Sequence, residues 1–136
     1  MDSIQWNLTF PDTNGILHIA HSHDFHHLFL SSLNQSICYY QTIFTPSMET
    51  TLQQVYAGHH HEVTGIKSDQ QNRVFSISQD HRLLVTDLDH LYTVSTMDCE
   101  FALATLSIEY PFIAVGGSNY TFFVFNVTDL SMVCFQ

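Results

Sequence analysis

The stretch GHHHEVTGIKSDQQNRVFSISQDHRLLVTDL, residues 58–88, decides the fold class of this chain. It opens with Gly58-His59 and continues into a run rich in β-branched and apolar residues, which ends at a polar turn over Asp69–Asn72. A second apolar run ends in Ser78-Gln79-Asp80, and a third follows directly. Short apolar runs separated by Asp, Asn, Ser and Gly are typical of strands joined by tight turns. This stretch therefore predicts consecutive β-hairpins.

The same plan repeats on both sides of this stretch. The N-terminal copy is IQWNLTFPDTNGILHIAHSHDFHHLFLSSL (4–33), and the C-terminal copy is FALATLSIEYPFIAVGGSNYTFFVFNV (101–127). Superposing Leu17, Val74 and Ile113 gives spacings of 57 and 39 residues. The second spacing is close to the ~40–45 residues of a four-stranded propeller blade. The surplus in the first predicts an enlarged loop over residues 34–51, or an additional hairpin there.

Thirteen short strands with turns between them predict an all-β fold. One weak helix candidate competes with this interpretation at Ser47–Val55, where three apolar side chains could share a helical face. The candidate strands are Ile4–Phe10, Ile16–Ala20, His27–Ser31, Ile37–Phe44, Leu52–Tyr56, Val63–Ser68, Arg73–Ser78, Leu83–Asp87, Tyr92–Thr96, Phe101–Ile108, Phe112–Gly116, Phe122–Val127 and Met132–Phe135.

These repeats resemble WD40 repeats over nearly the whole chain. Gly58-His59 matches the Gly-His pair of that family, and Ser76 and Asp80 match its strand serine and turn aspartate. The resemblance implies a partial β-propeller of about three four-stranded blades, with His59, Ser76 and Asp80 joined in a buried hydrogen-bond network. The single domain 1–136 then divides into blades at about 1–57, 58–98 and 99–136.

The match is degenerate outside the middle blade. The Trp-Asp position of the family reads Thr86-Asp87 in the second blade, Phe125-Asn126 in the third and Phe29-Leu30 in the first. The turn aspartate is Asn119 in the third blade and His23 in the first. Within the family, the order of features is similar to the WD40 subunit of the complex that matures pre-ribosomal large-subunit particles, which implies a role in ribosome assembly and rRNA processing.

Charge excludes two classes of partner. The chain has three basic residues against thirteen acidic ones and a formal net charge of −10. Nucleic acids and anionic membranes bind proteins mainly through Lys and Arg, so we expect neither as a direct partner. Three dispersed cysteines without a CxxC pair, and an N-terminus unlike a signal peptide, predict an intracellular protein of the cytoplasm or nucleus without a cofactor.

Three blades leave an open arc, whereas propellers close with about four to eight. We therefore expect other proteins as partners, either subunits of a complex or a chain that completes the ring. Loops on a rigid scaffold usually carry binding. The candidate partner-binding residues are His60, His61, Glu62, Asp89 and His90.

No catalytic residues are predicted. Ser76, His59 and Asp80 are the residue types of a nucleophile, its base and an orienting acid, but the blade arrangement makes them a buried structural network. The pair Asp87 and Asp89 is typical of solvated acids at a loop. The apolar run Phe122–Phe125 predicts a strand buried on both faces, and so core.

The alternative function is a small metal-binding β-protein or metal-dependent enzyme built on the histidines between His18 and His27. On a strand, His21 and His23 would point to the same face, and His26 could follow around the turn. Zinc takes three or four such ligands in a tetrahedron. Neighbouring histidines such as His59, His60 and His61 point to opposite faces and do not readily bind one ion.

The metal hypothesis predicts stoichiometric zinc in the purified chain. Replacing His21 and His23 together would then release the ion, because two of its ligands are lost. Elemental analysis after gel filtration measures this, with His60→Gln as the control that retains zinc. A chain that carries no zinc and forms a stable complex with another protein would rule the hypothesis out.

Overall fold

The computed structural model describes residues 15–22, 25–32, 35–44, 48–56, 59–69, 73–87, 92–118 and 121–135. It confirms an all-β chain with three four-stranded antiparallel sheets. The strands are β1 (Ile16–His21), β2 (His27–Ser32), β3 (Ile37–Phe44), β4 (Met48–Tyr56), β5 (Val63–Ser68), β6 (Arg73–Ser78), β7 (Arg82–Asp87), β8 (Tyr92–Asp98), β9 (Leu103–Glu109), β10 (Phe112–Gly117), β11 (Phe122–Asn126) and β12 (Met132–Phe135).

Each sheet is a meander in which every strand pairs with the next one along the chain. The first sheet contains β1–β4, the second β5–β8 and the third β9–β12. The first strands of the sheets lie side by side, with β5 in contact with both β1 and β9. The second sheet is therefore packed between the other two.

One sequence prediction in the first sheet is wrong. Residues 48–55 of the helix candidate Ser47–Val55 belong to the strand β4, which pairs with β3. An alternating sheet face here resembles a three-residue helical spacing over so short a run. The region 34–51, for which the sequence predicts an enlarged loop or an additional hairpin, includes β3 and the first part of β4, which form a hairpin. The candidate strand Ile4–Phe10 lies outside the described residues.

The repeat spacing is corrected by the strand register. Leu28, Val74 and Ile113 are the second residues of the second strand in each sheet, and each pairs with the third strand of its own sheet. Their spacings are 46 and 39 residues. Leu17, used for the first alignment, lies on the first strand β1 instead. The first repeat is therefore only slightly longer than the second. The residues that stand where the second sheet has Thr86-Asp87 are Tyr40-Gln41, not Phe29-Leu30 as the sequence alignment predicted.

The largest apolar core fills the space between the second and third sheets. Side chains alternate along a strand, so residues two apart point into the same interface. Burying one large apolar side chain fully stabilises the fold by about 1.5–3 kcal/mol, because its surface is removed from water. The second sheet contributes Phe75, Ile77, Leu83 and Val85, and the third contributes Phe101, Leu103, Leu106, Ile113, Val115, Phe125 and Val127.

A glycine is required where Phe101 enters this core. A Cβ at Gly117 would lie 2.1 Å from Cδ2 of Phe101 and 2.6 Å from the carbonyl oxygen of Ala102. The Phe101 ring also stacks on Phe123, with ring centroids 5.3 Å apart. The ring therefore closes the end of the core by covering bare backbone.

A smaller core joins the first and second sheets. The rings of Phe29 and Tyr39 stack with centroids 4.9 Å apart and face Ile66 and Val74 of the second sheet. A separate buried cluster covers the other side of the first sheet, which points away from the second. It contains Leu28, Leu30, Cys38 and Tyr40.

Polar contacts fix the second sheet against the third. The hydroxyl of Thr64 on β5 donates to the carbonyl oxygen of Leu103 at 2.7 Å. The Arg73 guanidinium, at the start of β6, donates through Nη1 to the carbonyl oxygens of Val127 and Thr128 at 3.1 and 3.0 Å. These bonds satisfy backbone acceptors at the ends of strands and hold the two sheets in one alignment.

Two matched Thr→Val substitutions test the value of these polar contacts. Thr42 is buried, and its Oγ1 has no hydrogen-bond partner among the described residues. An unsatisfied buried hydroxyl costs about 1–3 kcal/mol. We expect Thr42→Val to raise the free energy of unfolding by about 1 kcal/mol and Thr64→Val to lower it by about 1 kcal/mol. Urea titration measures both, and equal losses in the two variants would contradict the assignment.

Candidate functional site

The best-defined polar cluster in the described structure is centred on His59, which lies in the segment that leads into β5. Its Nε2 lies 2.9 Å from the Ser76 hydroxyl on β6. Its Nδ1 lies 3.1 Å from Oδ2 and 3.3 Å from Oδ1 of Asp80, in the turn between β6 and β7. The structure therefore brings together the three residues that the resemblance linked, at hydrogen-bond distances.

Asp80 is the acceptor that organises this turn. Besides His59, its carboxylate accepts the backbone N–H of His60 at 2.8 Å and that of Arg82 at 3.0 Å. Burial alone would raise the pKa of Asp80. The hydrogen bonds from these backbone groups and the interaction with His59 outweigh burial and hold the pKa below its ordinary value. Asp80 is therefore an ionised acceptor that holds together the segment before β5 and the β6–β7 turn.

The imidazole of His59 is neutral at physiological pH. Burial lowers its pKa, and the opposing attraction of Asp80 does not compensate. A neutral ring has one N–H, which Nδ1 donates to the Asp80 carboxylate. Nε2 then accepts a hydrogen bond from the Ser76 hydroxyl. Each polar group of the network thus has a partner, as a buried cluster requires.

Ser76, His59 and Asp80 are linked like the serine, histidine and aspartate of a hydrolytic triad, but the hydroxyl is not accessible to a substrate. Ser76 is 2% exposed and His59 5% exposed. A nucleophilic hydroxyl must reach a substrate carbonyl, and here the packed sheets surround it. The geometry therefore favours a structural network over a catalytic one.

Among the described residues, the position of Ser76 is polar in the second sheet and apolar in the other two. Leu30 in the first sheet and Val115 in the third occupy the position of Ser76, and both are buried. Replacing a bonded polar cluster by apolar side chains of suitable shape is close to neutral for stability. The first and third sheets therefore have an apolar side chain where the second has the polar network.

The segment after His59 presents a rigid, exposed loop. His60, His61 and Glu62 are exposed, although the backbone of His60 is bonded to Asp80. The Ser78 hydroxyl lies 2.8 Å from the carbonyl oxygen of Glu62 and donates to it, and Gln79 N–H donates to the same oxygen at 3.1 Å. The candidate partner-binding loop is thus fixed from beneath by the buried network. Asp89 and His90 lie outside the described residues.

The histidines of the first sheet make local contacts. Nδ1 of His21 donates to the carbonyl oxygen of Ser22 at 2.8 Å, and its ring stacks on Phe25. Nδ1 of His26 donates to the carbonyl oxygen of Thr42 at 3.0 Å. Within the described part of the chain, no three His, Cys, Asp or Glu side chains are grouped as metal ligands. His23 lies outside that part.

An apolar groove of about 490 Å³ opens between the outer strands of the second and third sheets. Met97, Phe123, Leu130 and Met132 line it, together with Cys99. Burial, with the nearby charge of Asp98, raises the pKa of the Cys99 thiol. The thiol is therefore protonated and a poor nucleophile, so the groove is not suited to thiolate chemistry.

The third sheet has an apolar side that points away from the second sheet, and no described strand packs against it. We call it the open face. Phe112 and Phe122 on it are 43% and 42% exposed. Their exposure corrects the prediction that the run Phe122–Phe125 is buried on both faces, because only Phe123 and Phe125 point into the core. On β10 and β11 the open face consists of Phe112, Ala114, Gly116, Phe122 and Val124, of which Gly116 is buried. The neighbouring strand β9 adds the exposed polar residues Thr105, Ser107 and Glu109.

Strand register relates the open face to a buried one. Gly116 pairs with Phe122 and Ala114 with Val124 on β10 and β11. At the same places in the second sheet, Ile77 pairs with Leu83 and Phe75 with Val85. Those four residues form the side of the second sheet that is buried against the third. The open face is therefore the surface that, one sheet earlier, packs against another sheet.

Sequence reasoning missed Phe112 and Phe122 because a continuous apolar run does not reveal which of its faces is covered. The available signal was the 39-residue spacing between the second and third repeats, which aligns Phe122 with Leu83. Comparison of the sequence with known protein families and with curated proteins gives no match. In the part of the chain that the structure describes, no helix has the length and apolar character needed to span a membrane.

The buried His59 makes the stability of the fold depend on pH. Its pKa is lower in the folded chain than its ordinary value of 6.5, so the unfolded chain binds more protons below that pH. We expect the free energy of unfolding to fall between pH 7 and 5. Acidification through the depressed pKa of Asp80 removes a further contribution, present above its ordinary value of 3.8.

Urea titrations of two histidine variants at several pH values test this prediction. His59→Asn removes the buried imidazole and should flatten the slope between pH 7 and 5. His81→Asn is the control: His81 is exposed with φ 71°, a conformation that Asn tolerates, and its slope should match the unsubstituted chain. Equal slopes in all three proteins would show that His59 is not the group responsible.

Proposed function

We propose that this chain is a non-catalytic scaffold for protein–protein contacts. In this proposal it is a WD40-like partial β-propeller of three blades within an intracellular multiprotein assembly of the cytoplasm or nucleus. The observation that carries the proposal is the open face of the third sheet. Residues of this face stand at the same register positions as four residues of the second sheet that are buried against the third: Phe75, Ile77, Leu83 and Val85.

The chemistry of the open face supports docking of a further sheet. Two phenylalanines that are each more than two fifths exposed on one sheet face are costly to leave in water. Sheets pack face to face about 10 Å apart through interdigitating apolar side chains. Another protein that supplies such a sheet would bury the open face in the same way that the third sheet buries the second.

The polar cluster supports a scaffold role through rigidity. Ser76 and Asp80 are each hydrogen-bonded to the buried ring of His59, and Asp80 also accepts the backbone N–H of His60, which holds the exposed loop of His60, His61 and Glu62. A preorganised loop loses little conformational entropy when it binds. The resemblance to a WD40 subunit of pre-ribosomal particles suggests ribosome assembly as the setting, with contacts made to proteins rather than to RNA because the chain has so few cations.

Site-directed photo-crosslinking in the native cell tests the proposal. Benzoylphenylalanine is introduced at Phe112 or Phe122 on the open face, and at Ile43 as a control that is 50% exposed on the first sheet. We expect both open-face positions to crosslink to the same protein and the control not to do so. Equal crosslinking from all three positions would contradict the proposal.

A further inference from the structure

The open face has no complementary positive charge in its own chain. All three basic residues, Lys67, Arg73 and Arg82, lie on strands of the second sheet. Arg73 already donates to two carbonyl oxygens of the third sheet, and Arg82 lies 3.7 Å from Asp98. From residue 91 onward the sequence contains no Lys, Arg or His. The charged side chains of the third sheet are therefore all acidic.

One of those acids, Glu109 on β9, borders the open face. It pairs with Phe112, so its side chain points to the same side of the sheet, and it is exposed. Asp129, in the turn after β11, lies instead on the side of the second sheet, where it lines a small pocket with Arg73 and Val85. A partner that covers the phenylalanines would bring its own rim close to the Glu109 carboxylate.

The shape of the open face is also specific. Ala114 stands at the register position that Phe75 occupies in the second sheet, and it is flanked by Val124 on the neighbouring strand. The large side chains of this face, Phe112 and Phe122, stand at opposite ends of their strand pair. The centre of the face is therefore shallow. The shallow region ends at Gly116, because the Thr105 side chain lies next to it. A Cβ at Gly116 would be 2.9 Å from Cγ2 of Thr105.

From these observations we infer that the open face binds a β-sheet with large apolar side chains at its centre and Lys or Arg at its rim. This inference rests on the proposed function and specifies its partner. A second copy of this chain does not fit, because two open faces would oppose Ala114 to Ala114 and bring acidic rims together. The net charge of −10 on each copy adds to that repulsion.

Synthetic β-hairpins serve as probes. The first is a cyclic hairpin with Phe, Leu and Val on one face and Lys at both ends of each strand. The second has Glu in place of each Lys, and the third keeps Lys but has Ser in place of the apolar residues. Fluorescence polarisation of the labelled hairpins with the full chain measures affinity. We expect the basic apolar hairpin to bind about tenfold tighter than either of the others, with a difference that shrinks as salt rises.

Matched variants locate the binding. Phe122→Ser and Glu109→Gln should each weaken binding of the basic apolar hairpin several-fold. Ile43→Ser and Glu49→Gln change an exposed isoleucine and an exposed glutamate of the first sheet and should leave it unchanged. All four positions are exposed, so the variants keep the fold, and far-ultraviolet circular dichroism checks this.

The outcomes separate the two proposals. Equal binding of the basic and acidic apolar hairpins, with loss on Phe122→Ser, would overturn the inference about charge and leave the docking face in place. A dimer of the chain alone that Phe122→Ser dissolves would overturn it in favour of a second copy. If none of the hairpins responds to Phe122→Ser, the open face does not bind a sheet, and the proposed function fails with the inference.

Discussion

The packing of the second sheet between two others is the constraint on which the rest of this structure depends. Its strands β6 and β7 are buried almost throughout, so both of their faces are covered. One face is covered by the third sheet through Phe75 and Val85, and the other by the first sheet at Val74. Neither neighbour is optional, because a lone sheet of this composition would expose a hydrophobic surface on each side.

The buried polar network is possible only because it lies within this doubly covered sheet. Hydrogen bonds between His59, Ser76 and Asp80 are strengthened where water is excluded, and the same exclusion makes each missing partner costly. The first sheet illustrates the cost, since the hydroxyls of Ser31 and Thr42 are buried there without a partner among the described residues. The first and third sheets instead have Leu30 and Val115 at the position of Ser76.

The residues that the sequence identified most reliably are those joined by short-range chemistry. Gly58-His59, Ser76 and Asp80 lie within one repeat, and the need of a buried histidine for partners links them without any knowledge of the other sheets. The strand pattern was also sufficient for the all-β class. The alignment through Leu17 failed because β1 and β2 are both short and apolar, and hydrophobic pattern alone does not order the strands of a sheet.

The exposure of Phe122 was not predictable in the same way, because it depends on what lies against the third sheet rather than on the strand itself. Val124 and Phe125 are neighbours in one apolar run, yet one faces outward and the other into the core. A propensity for burial is a property of the sequence, whereas its fulfilment requires a second surface. For this reason the strand pattern predicted a core, and the structure shows half of that core without a described neighbour.

The two ends of the three-sheet stack differ, and this difference gives the assembly a direction. On the side of the first sheet that points away from the second, Leu28, Leu30 and Cys38 are already buried. On the side of the third sheet that points away from the second, Phe112 and Phe122 are exposed and the nearby charges are all negative. A surface that is apolar enough to need covering but is bordered by an acid and lacks a basic residue resists pairing with itself. The same two properties select a partner whose sheet is apolar at its centre and basic at its edge.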